Sequence, residues 1–558
     1  MLLAGMRKLC RVCLAAVLAT ALCVLTLVDM PPQLPEPPTD PPPTPETESS
    51  GTRSIVAYSW ARRLALDYRP SVECRDYVNE HVTAEDEKFT KSSDAYVTSK
   101  ESSLTRNRRR NRRRTRRRIN EKEDTDGGID DTKRSNKWLE TIPRRLFLYS
   151  AHLDIRVAGY PSVRVIGVKR ETSSTLLRTA GTLYCTIWHA DVDGVTKSFS
   201  MEALVSDIWL DEWGGSQENY TGILVTCQLP RVKGPLRVYV GTRSCYQNPS
   251  HSLLVKAPPE NDKKVVKESD EFSICIKGLD FDEDISEKLV AFVELNRILG
   301  ANMIYVYVFN VHENVSKVLR MYEKSNVVRW FNFELPGDLP NDIQARRQLL
   351  ATDLWTKRRM ELIPYNHCFY ENLYTANFVV PIDIDETIIP IKRDNWRQLL
   401  NDERSKLGRS FNDFASYAVR NAYFFTEMQN KIRPRMTKFS HDLTLPACNN
   451  CEDNSTTCVY LDTVRTSVIS PIGDSVKSFV STKRALTVHN HYALTTLDPS
   501  TTRAYHLHPR DALKHHHRMC DQTHLDCNLM MQQLKIDDSA LRYAQQLKAR
   551  MKLFYGRS

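Results

Sequence analysis

The stretch Phe378-Val379-Val380-Pro381-Ile382-Asp383-Ile384-Asp385-Glu386-Thr387-Ile388-Ile389-Pro390 decides which fold this sequence predicts. Its β-branched run is typical of a buried strand, and three carboxylates follow at the strand's end. Open α/β sheets bind ligands at that carboxyl edge. On an extended backbone Asp383 and Asp385 lie on the same side, so their repulsion favours a cation between them. Oxygen ligands favour Mg²⁺ or Mn²⁺, whereas the simpler alternative is a solvated acidic turn.

Length and charge limit the class of protein. With 558 residues, 41% of them hydrophobic, the chain is long enough for several domains with sizeable cores. The formal net charge is +10, but residues 106–118 contain ten arginines, so the remainder sums to 10 − 10 = 0. The arginine tract could bind nucleic acid, but the secretory lumen, where we place it below, offers none, so we expect no nucleic-acid partner. We interpret the arginine tract as a solvated linker, with a processing site for basic-specific proteases as the alternative.

The N-terminus has the pattern of a signal anchor. Arg7, Lys8 and Arg11 precede an apolar run at residues 12–28, which is at the short end for a membrane span. Positive charge on that side predicts a cytosolic tail at residues 1–11 and a lumenal remainder. A cleaved signal peptide is the alternative, but no small-residue cleavage site follows the run. A short span suits a thin early secretory membrane, so we expect a single-pass type II protein.

Cysteine usage agrees with a lumenal location. Of 14 cysteines, three lie in or beside the apolar run, and 14 − 3 = 11 remain for a compartment in which disulfides form. The odd number leaves a thiol free or in an intermolecular disulfide, and the oligomeric state stays open. Two groups have spacing that also suits zinc, but we favour disulfides: Cys448, Cys451 and Cys458, and Cys520 with Cys527. The candidate N-glycosylation sites are Asn219, Asn314 and Asn454.

Composition and periodicity divide the lumenal part into four regions. Residues 29–137 are rich in proline and arginine, which predicts a disordered stem. Residues 138–260 contain short β-branched runs, which predicts a β-rich module without a catalytic constellation. In residues 271–530 strands first alternate with amphipathic helices, which predicts an α/β domain of Rossmann-like topology, suited to a nucleotide. Residues 531–558 form a helical tail.

Two functions are compatible with the acidic stretch taken by itself. The pattern D-x-D-x-T is also the first motif of haloacid-dehalogenase-like phosphatases, with Asp383 as nucleophile and Asp385 as acid/base. That motif normally opens its domain, whereas several predicted strands precede it here. A later strand ending in paired aspartates is missing, because Asp537-Asp538 follows a poor strand. The remaining alternative is a non-catalytic, membrane-anchored glycan-binding protein in which the β-rich module binds the ligand.

A series of short motifs accompanies the acidic stretch. In order they are Tyr149-Ser150-Ala151, Val163-Arg164-Val165-Ile166, Cys275-Ile276-Lys277, residues 293–301 (VELNRILGA), residues 383–386 and His516-His517-Arg518. This pattern resembles glycosyltransferase family 92 over about residues 145–530, although His517 stands where the family commonly has tyrosine. The resemblance implies a GT-A-like fold, a type II Golgi membrane protein and inverting transfer of a hexose. It further implies galactose from UDP-galactose as the usual donor and a glycan as the acceptor.

The resemblance gives the acidic residues and a histidine pair expected roles at a metal. A divalent ion, Mn²⁺ or Mg²⁺, would neutralise the departing diphosphate as a Lewis acid. Asp385 is the expected direct ligand, and Asp383 contacts the ion or the nucleotide ribose. Glu386 either binds the ion directly or orients the groups that do. GT-A enzymes often add a histidine, and His489 and His491 share a face of a predicted strand, so one of them would complete the metal site.

Three more residues are assigned roles in donor binding and in acid–base chemistry. His516 and Arg518 are expected to bind the donor diphosphate, Arg518 through its planar guanidinium. An exposed polar turn is the alternative for residues 515–518. Inversion needs a base for the acceptor hydroxyl, and Asp413 is one candidate among several acids.

Overall fold

The computed structural model describes residues 71–74, 138–170, 181–190, 195–210, 213, 220–230, 234–258, 270–429, 460–523 and 526–556. The predicted tail, the apolar run at 12–28 and most of the stem lie outside the described residues, as do Asn219, Asn454, Cys448, Cys451 and Cys458. In the part of the chain that the structure describes, no helix is long and apolar enough to cross a membrane. The membrane anchor therefore stays a prediction from the sequence.

The N-terminal part of the structure is a sheet of ten strands. They are β1 (Val72–Glu73), β2 (Leu139–Ile142), β3 (Leu146–Asp154), β4 (Ser162–Lys169), β5 (Tyr184–Ala190), β6 (Thr196–Glu202), β7 (Leu204–Asp207), β8 (Thr221–Gln228), β9 (Pro235–Gly241) and β10 (Leu253–Lys256). The order is β1-β6-β5-β9-β10-β3-β4-β8-β7, with β2 beside β3. All pairings are antiparallel except that of β10 with β3. This region is β-rich, as the sequence predicts.

Strand β4 shows why this sheet is not a separate body. All eight of its residues are buried. Val163 and Val165 pack into a core confined to the N-terminal sheet, whereas Ile166 and Val168 pack into a second core. Alternate residues of a strand point to opposite faces, so each face of β4 is covered by a different core. The second core also contains Tyr307 of the following region, which joins the two regions into one hydrophobic unit.

The next region alternates strands with helices as the sequence predicts. Its elements are β11 (Phe272–Asp280), α1 (Ser286–Leu299), β12 (Ala301–Asn310), α2 (Glu313–Lys324), β13 (Val328–Asn332), α3 (Ile343–Thr352), α4 (Leu354–Glu371) and β14 (Phe378–Pro381). β11 is parallel to both β12 and β14, and β12 is parallel to β13. The chain thus adds strands on one side of β11 and then returns to its other side. Such a reversal creates a crevice beyond the carboxyl ends of the strands, where α/β proteins bind ligands.

The helix before β14 differs from the sequence-based expectation. The pattern predicts one helix over residues 342–362 that ends at Pro364, and this is wrong on both counts. The break lies at Asp353, whose carboxylate accepts a hydrogen bond from the amide of Thr356 (2.9 Å) and begins α4. Pro364 lies inside α4, which continues to Glu371. Aspartate is a strong helix N-cap, and packing on the second core stabilises a helix that tolerates an internal proline.

The C-terminal part completes the sheet and frames its edge. Its elements are β15 (Glu386–Pro390), α5 (Trp396–Leu407), β16 (Ser416–Val419), β17 (Asn421–Phe425), β18 (Val464–Thr466), β19 (Lys477–Ser481), β20 (Ala485–Val488), β21 (Ala493–Thr496), β22 (Tyr505–His506), β23 (Ala512–Arg518), α6 (Cys527–Met530), β24 (Leu534–Ile536) and α7 (Ala544–Tyr555). The central sheet has the order β13-β12-β11-β14-β19-β16-β22. A small sheet, β15-β23-β17, lies after the turn that leaves β14. The helical tail predicted at residues 531–558 contains α7, but it is not helical throughout, because Leu534–Ile536 pairs with Val464–Thr466 as strand β24.

Four disulfides link the described residues: Cys74–Cys245, Cys185–Cys227, Cys275–Cys368 and Cys520–Cys527. The preference for a disulfide over a zinc site is therefore confirmed for Cys520 and Cys527. Cys275 lies on β11 and Cys368 on α4, so the third bond fixes this helix to the strand beside the crevice. A disulfide that closes a long loop restricts the unfolded chain most strongly.

Candidate active site

The three predicted acids lie in a sharp turn that we call the acidic turn (residues 383–386). β14 ends at Pro381, and the amide of Glu386 donates to the carbonyl of Asp383 (3.0 Å). The expectation that Asp383 and Asp385 lie on extended backbone is therefore wrong. After the turn, Glu386 begins β15, which belongs to a different sheet from β14. The hydroxyl of Tyr460 donates to the carbonyl of Ile384 and holds the turn.

Asp383 is neutralised by lysines from two strands. Its Oδ1 lies 3.2 Å from Nζ of Lys277, at the carboxyl end of β11, and its Oδ2 lies 3.1 Å from Nζ of Lys477 on β19. Tyr365 of α4 also donates to Oδ1 (3.4 Å). Burial alone would raise the pKa of Asp383, but the two ammonium groups hold that pKa well below its usual value. The carboxylate is charged without an added cation.

Glu386 is a buried structural acid. Its Oε2 lies 3.2 Å from Nζ of Lys477 and accepts a hydrogen bond from the amide of Asp383 (3.1 Å). Its Oε1 pairs with Nζ of Lys514 on β23. Burial would raise the pKa of Glu386, yet Lys477 and Lys514 lower it below the ordinary value. Both oxygens are occupied within the protein, so Glu386 orients the turn rather than acting as a base.

Asp385 has different surroundings from the other two acids. Both of its side-chain contacts among the described residues are made by Oδ2, at 3.3 Å from Nε2 of His516 and 3.5 Å from Arg518. Its side chain is 19% exposed. Burial would raise the pKa of Asp385, but the hydrogen bond from His516 and the charge of Arg518 hold it below the ordinary value. Asp385 is thus an ionised carboxylate at the edge of solvent.

Strand pairing brings His516 and Arg518 to Asp385. β23 runs antiparallel to β15 with His516 opposite Glu386, and the amide of His517 donates to the carbonyl of Asp385 (2.8 Å). The ring of His516 stacks on Tyr423 with centroids 5.1 Å apart. Burial lowers the pKa of His516, so its imidazole is neutral at neutral pH. These residues belong to a buried strand, not to the exposed polar turn considered for residues 515–518.

The donor atoms of Asp385 and His516 fit a divalent ion. Adjacent ligands of an octahedral ion at about 2.1 Å are about 3.0 Å apart. The 3.3 Å between Oδ2 of Asp385 and Nε2 of His516 is close to this value. A carboxylate and water suit Mg²⁺ or Mn²⁺, and the added imidazole of His516 favours Mn²⁺ over Mg²⁺. Asp383 fits less well, because lysines contact both of its oxygens.

The predicted histidine pair, His489 and His491, lies beside the site. Asn490, which lies between them in the sequence, contacts residues of the site. Oδ1 of Asn490 accepts hydrogen bonds from Tyr365 (2.9 Å) and from Lys477. Nδ1 of His491 lies 2.7 Å from the carbonyl oxygen of Val476, while the ring of His489 packs 4.5 Å from that of Trp213. Within the described residues, neither histidine forms a hydrogen bond or ion pair with the acidic turn. Burial lowers the pKa of both rings, that of His491 to about 4.

Asp413 is not brought to the acidic turn. β19 pairs antiparallel with both β14 and β16, and Lys477 lies opposite Val419, the last residue of β16. Asp413 precedes the first residue of β16, which places it towards the opposite edge of the sheet. Its side chain is exposed. The strand register therefore gives no support to Asp413 as the catalytic base.

Of the three predicted glycosylation sites, Asn314 alone lies within the described residues. It is half-buried in the first turn of α2, and its side-chain amide donates to Oδ2 of Asp284 (2.6 Å). Glycosylation at this position remains a prediction.

A comparison with protein-family models matches residues 270–551 to "Glycosyltransferase family 92". The chain belongs to glycosyltransferase family 92. The resemblance that the sequence motifs carry is thereby confirmed. The match begins just before β11, ends in α7 and covers half of the chain, including every acid and base described above. A comparison with curated proteins finds no match.

Several residues of this candidate site have no role in the predictions made from the sequence. Lys477 and Lys514 were missed, as were Tyr365 and Asn490, and Lys277 was quoted only as part of a motif. A usable signal exists for two of the lysines. Lys277 and Lys477 lie beside apolar runs that predict buried strands, and a lysine that is buried there requires a paired acid. Lys514 has no such run beside it. The partner itself is set by sheet pairing across the chain, which no local pattern contains.

A cavity of about 290 Å³ lies beside the acidic turn of the family 92 domain. Residues that line it include Lys277, Gly278, Phe309, Arg347 and Glu361. Lys277 joins the cavity to the turn, because its Nζ lies 3.2 Å from both Glu361 and Asp383. A Cβ on Gly278 would lie 2.5 Å from the ring of Phe309, so only glycine lets this ring line the cavity.

Proposed function

We propose that this family 92 protein is a metal-dependent, inverting hexosyltransferase that transfers galactose from UDP-galactose to a glycan acceptor. The observation that carries the proposal is the arrangement of Asp385, His516 and Arg518 at the carboxyl edge of the parallel strands, close to Lys277 and its cavity. A nucleotide sugar needs such a combination, because it has an anionic diphosphate between a flat base and a neutral sugar.

The cavity supports binding of the nucleoside. It has aromatic and charged walls, and Phe309 offers a ring face to a base. Arg347 is held in place by Asp280, with Nε 2.8 Å from Oδ1, and Asp280 ends β11. The ion pair between Lys277 and Asp383 lies between the cavity and Asp385. Asp383 is therefore positioned for the ribose, and Lys277 for the adjoining phosphate.

The diphosphate would be bound by groups that surround Asp385. Mn²⁺ or Mg²⁺ held by Asp385 and His516 would supply Lewis-acid stabilisation of the leaving diphosphate when bound. Arg518 adds a planar guanidinium that matches phosphate oxygens. Lys288 lies in the first turn of α1, and burial chiefly lowers its pKa while the charge of Asp385 opposes this. The N-terminus of α1 itself favours an anion.

The cellular location is proposed on the sequence and the disulfides together. Four disulfides require an oxidising compartment, and the apolar run at residues 12–28 provides an anchor for entry into the secretory pathway. A type II Golgi membrane protein with a lumenal catalytic domain fits both observations.

The test is UDP release by the purified full chain with a panel of UDP-hexoses, a glycan acceptor and Mn²⁺. We expect release with UDP-galactose that is lost in Asp385→Asn and retained in Asp402→Asn, which removes an exposed acid paired with Arg393. Asp413→Asn should retain activity, because Asp413 lies towards the opposite edge of the sheet. NMR of the product should show the inverted anomeric centre. Phosphate release from a phosphomonoester, or glycan binding without UDP release, would overturn the proposal.

A further inference from the structure

A second group of metal-binding side chains lies outside the acidic turn. We call it the His152 cluster (His152, His367 and Glu371). Each residue offers one ligand atom, and the three atoms lie within 4.8 Å of one another. All three side chains are at least nine-tenths buried. His152 lies on β3, before the segment that matches the family model, whereas His367 and Glu371 lie one turn apart on α4.

The separations of the ligand atoms suit zinc. Oε1 of Glu371 lies 3.6 Å from Nε2 of His367 and 3.9 Å from Nδ1 of His152. Ligands bound tetrahedrally at about 2.1 Å are about 3.4 Å apart. The two separations from Glu371 therefore need to contract by only a few tenths of an ångström, and the third, between the two histidines, is at most 4.8 Å. Two imidazoles and one carboxylate, with water in the fourth position, form a common zinc ligand set.

Hydroxyl groups orient both imidazoles. Nε2 of His152 lies 3.0 Å from Oγ of Ser150, and Nδ1 of His367 lies 2.5 Å from the hydroxyl oxygen of Tyr307. When each of these nitrogens carries the ring proton, the opposite nitrogen presents its lone pair towards Glu371. Outer hydrogen bonds of this kind fix the tautomer of metal-binding histidines.

Two cations also contact Glu371. Nζ of Lys256 lies 2.5 Å from Oε1, the oxygen that faces the histidines, and Arg329 lies 3.6 Å from Oε2. Lys256 is 47% exposed, so its ammonium group can turn into solvent when a metal ion takes its place. Arg329 can stay, because it pairs with the other oxygen. The ammonium group of Lys256 thus competes with a metal ion for Oε1 of Glu371 and limits the affinity of the site for the ion.

We propose that His152, His367 and Glu371 bind a zinc ion that joins the N-terminal sheet to helix α4. The ion links β3 to the helix that is also tied to β11 by the Cys275–Cys368 disulfide. Its role is to stabilise the junction of the two regions, and the site is separate from the proposed sugar-transfer site. Two imidazoles and one carboxylate at tetrahedral spacing favour zinc, whereas manganese prefers a larger set of oxygen ligands.

The experiment measures zinc bound to the full chain after metal removal with EDTA and equilibration with ZnCl₂. We expect the wild type to retain a stoichiometric amount of zinc that the double variant His152→Gln/His367→Gln loses. The matched control is His251→Gln, which removes a histidine outside the cluster whose Nε2 lies 2.9 Å from the carbonyl oxygen of Glu140. Asp385→Asn should also retain the zinc, which separates this site from the proposed donor site. Zinc content unchanged in the double variant, or absent from the wild type, would overturn the proposal.

A second variant distinguishes a metal site from a buried hydrogen-bond network. Lys256→Met removes the competing ammonium group, so zinc affinity should rise and zinc should increase the melting temperature more than in the wild type. Cobalt is the spectroscopic probe, because tetrahedral Co²⁺ bound by the wild type should give visible absorption bands that the double variant lacks. A Lys256→Met protein that binds zinc no more tightly than the wild type, or no tetrahedral cobalt spectrum, would show that the cluster is only structural.

Discussion

The ammonium group of Lys477 lies 3.1 Å from Oδ2 of Asp383, on a side chain that is only 1% exposed. The same group lies 3.2 Å from Oε2 of Glu386. One lysine thus compensates two acids whose mutual repulsion would otherwise oppose the fold of the acidic turn. Because lysines contact both carboxylate oxygens of Asp383 and of Glu386, Asp385 is the acid of the turn that, among the described residues, keeps one oxygen, Oδ1, for a metal ion.

Replacing Lys477 by methionine should destabilise the protein strongly. The variant keeps the aliphatic volume but leaves two buried carboxylates with fewer partners, which costs about 3–5 kcal/mol of unfolding free energy. Chemical denaturation of the wild type and of Lys477→Met measures the loss. The double variant Lys477→Met/Glu386→Gln should recover part of it, since the neutral glutamine no longer needs the ammonium group. Equal stabilities of the wild type and Lys477→Met would contradict the role of this lysine.

The dependence on Mn²⁺ should identify the histidine at the metal. We expect His516→Gln to raise the Mn²⁺ concentration for half-maximal sugar transfer by at least about tenfold, because glutamine lacks the imidazole nitrogen beside Asp385. His489→Gln removes a buried ring that packs on Trp213 and should leave this concentration unchanged. A Mn²⁺ titration of the transfer rate gives both values. A large shift in His489→Gln and none in His516→Gln would return the metal role to the pair His489 and His491.

The sequence predicts local structure well where one period dominates. The alternation of strands and helices from β11 to β14 follows from apolar periodicity and short connections, and the acids were correctly expected just after β14. The sequence predicts that the helix ends at Pro364. In the structure the boundary between α3 and α4 lies at Asp353, whose side chain caps α4.

Residues that meet through sheet pairing were not predictable in the same way. Lys477 contacts Asp383 across 94 positions of sequence because β19 pairs with β14. Asn490 lies between His489 and His491 in the sequence. The predicted metal site uses only the strand face shared by the two histidines, so Asn490, on the opposite face, has no predicted role. The register of β16 against β19, which removes Asp413 from the site, is likewise a property of the sheet and not of any local pattern.

A buried ion pair at the junction of the two regions should make stability depend on pH. Asp154 lies 2.9 Å from Arg156, whose guanidinium also donates to the carbonyls of Thr482 (2.6 Å) and Ala485 (2.7 Å). Burial would raise the pKa of Asp154, but the hydrogen bonds and charge of Arg156, with the charge of Arg164, hold it below the ordinary value. A carboxyl with a lowered pKa in the folded state stabilises the protein above its unfolded pKa of about 4 and loses that effect as pH falls.

Asp154→Asn should therefore cost on the order of 3 kcal/mol between about pH 5 and 8, and progressively less below about pH 4. Urea denaturation of both proteins across this range measures the difference. Glu313→Gln is the matched control, because it removes the acid of a solvent-exposed ion pair, with Lys317, and should change stability little at any pH. A difference between wild type and Asp154→Asn that stays constant down to low pH would show that Asp154 contributes through shape and not through its charge.

The disulfide between Cys275 and Cys368 should stabilise the protein more than that between Cys520 and Cys527. The first closes a loop with a sequence separation of 93 and the second a loop of 7. By loop-closure entropy, replacing both cysteines by alanine costs about 4–5 kcal/mol for the long loop and about 2–3 kcal/mol for the short one. Thermal and denaturant unfolding of the two double variants under non-reducing conditions gives the comparison. Because Cys368 and Tyr365 both lie on α4, the first double variant should also weaken binding of the proposed donor, UDP-galactose. An equal effect of both double variants on this binding would mean that the Cys275–Cys368 disulfide does not position α4.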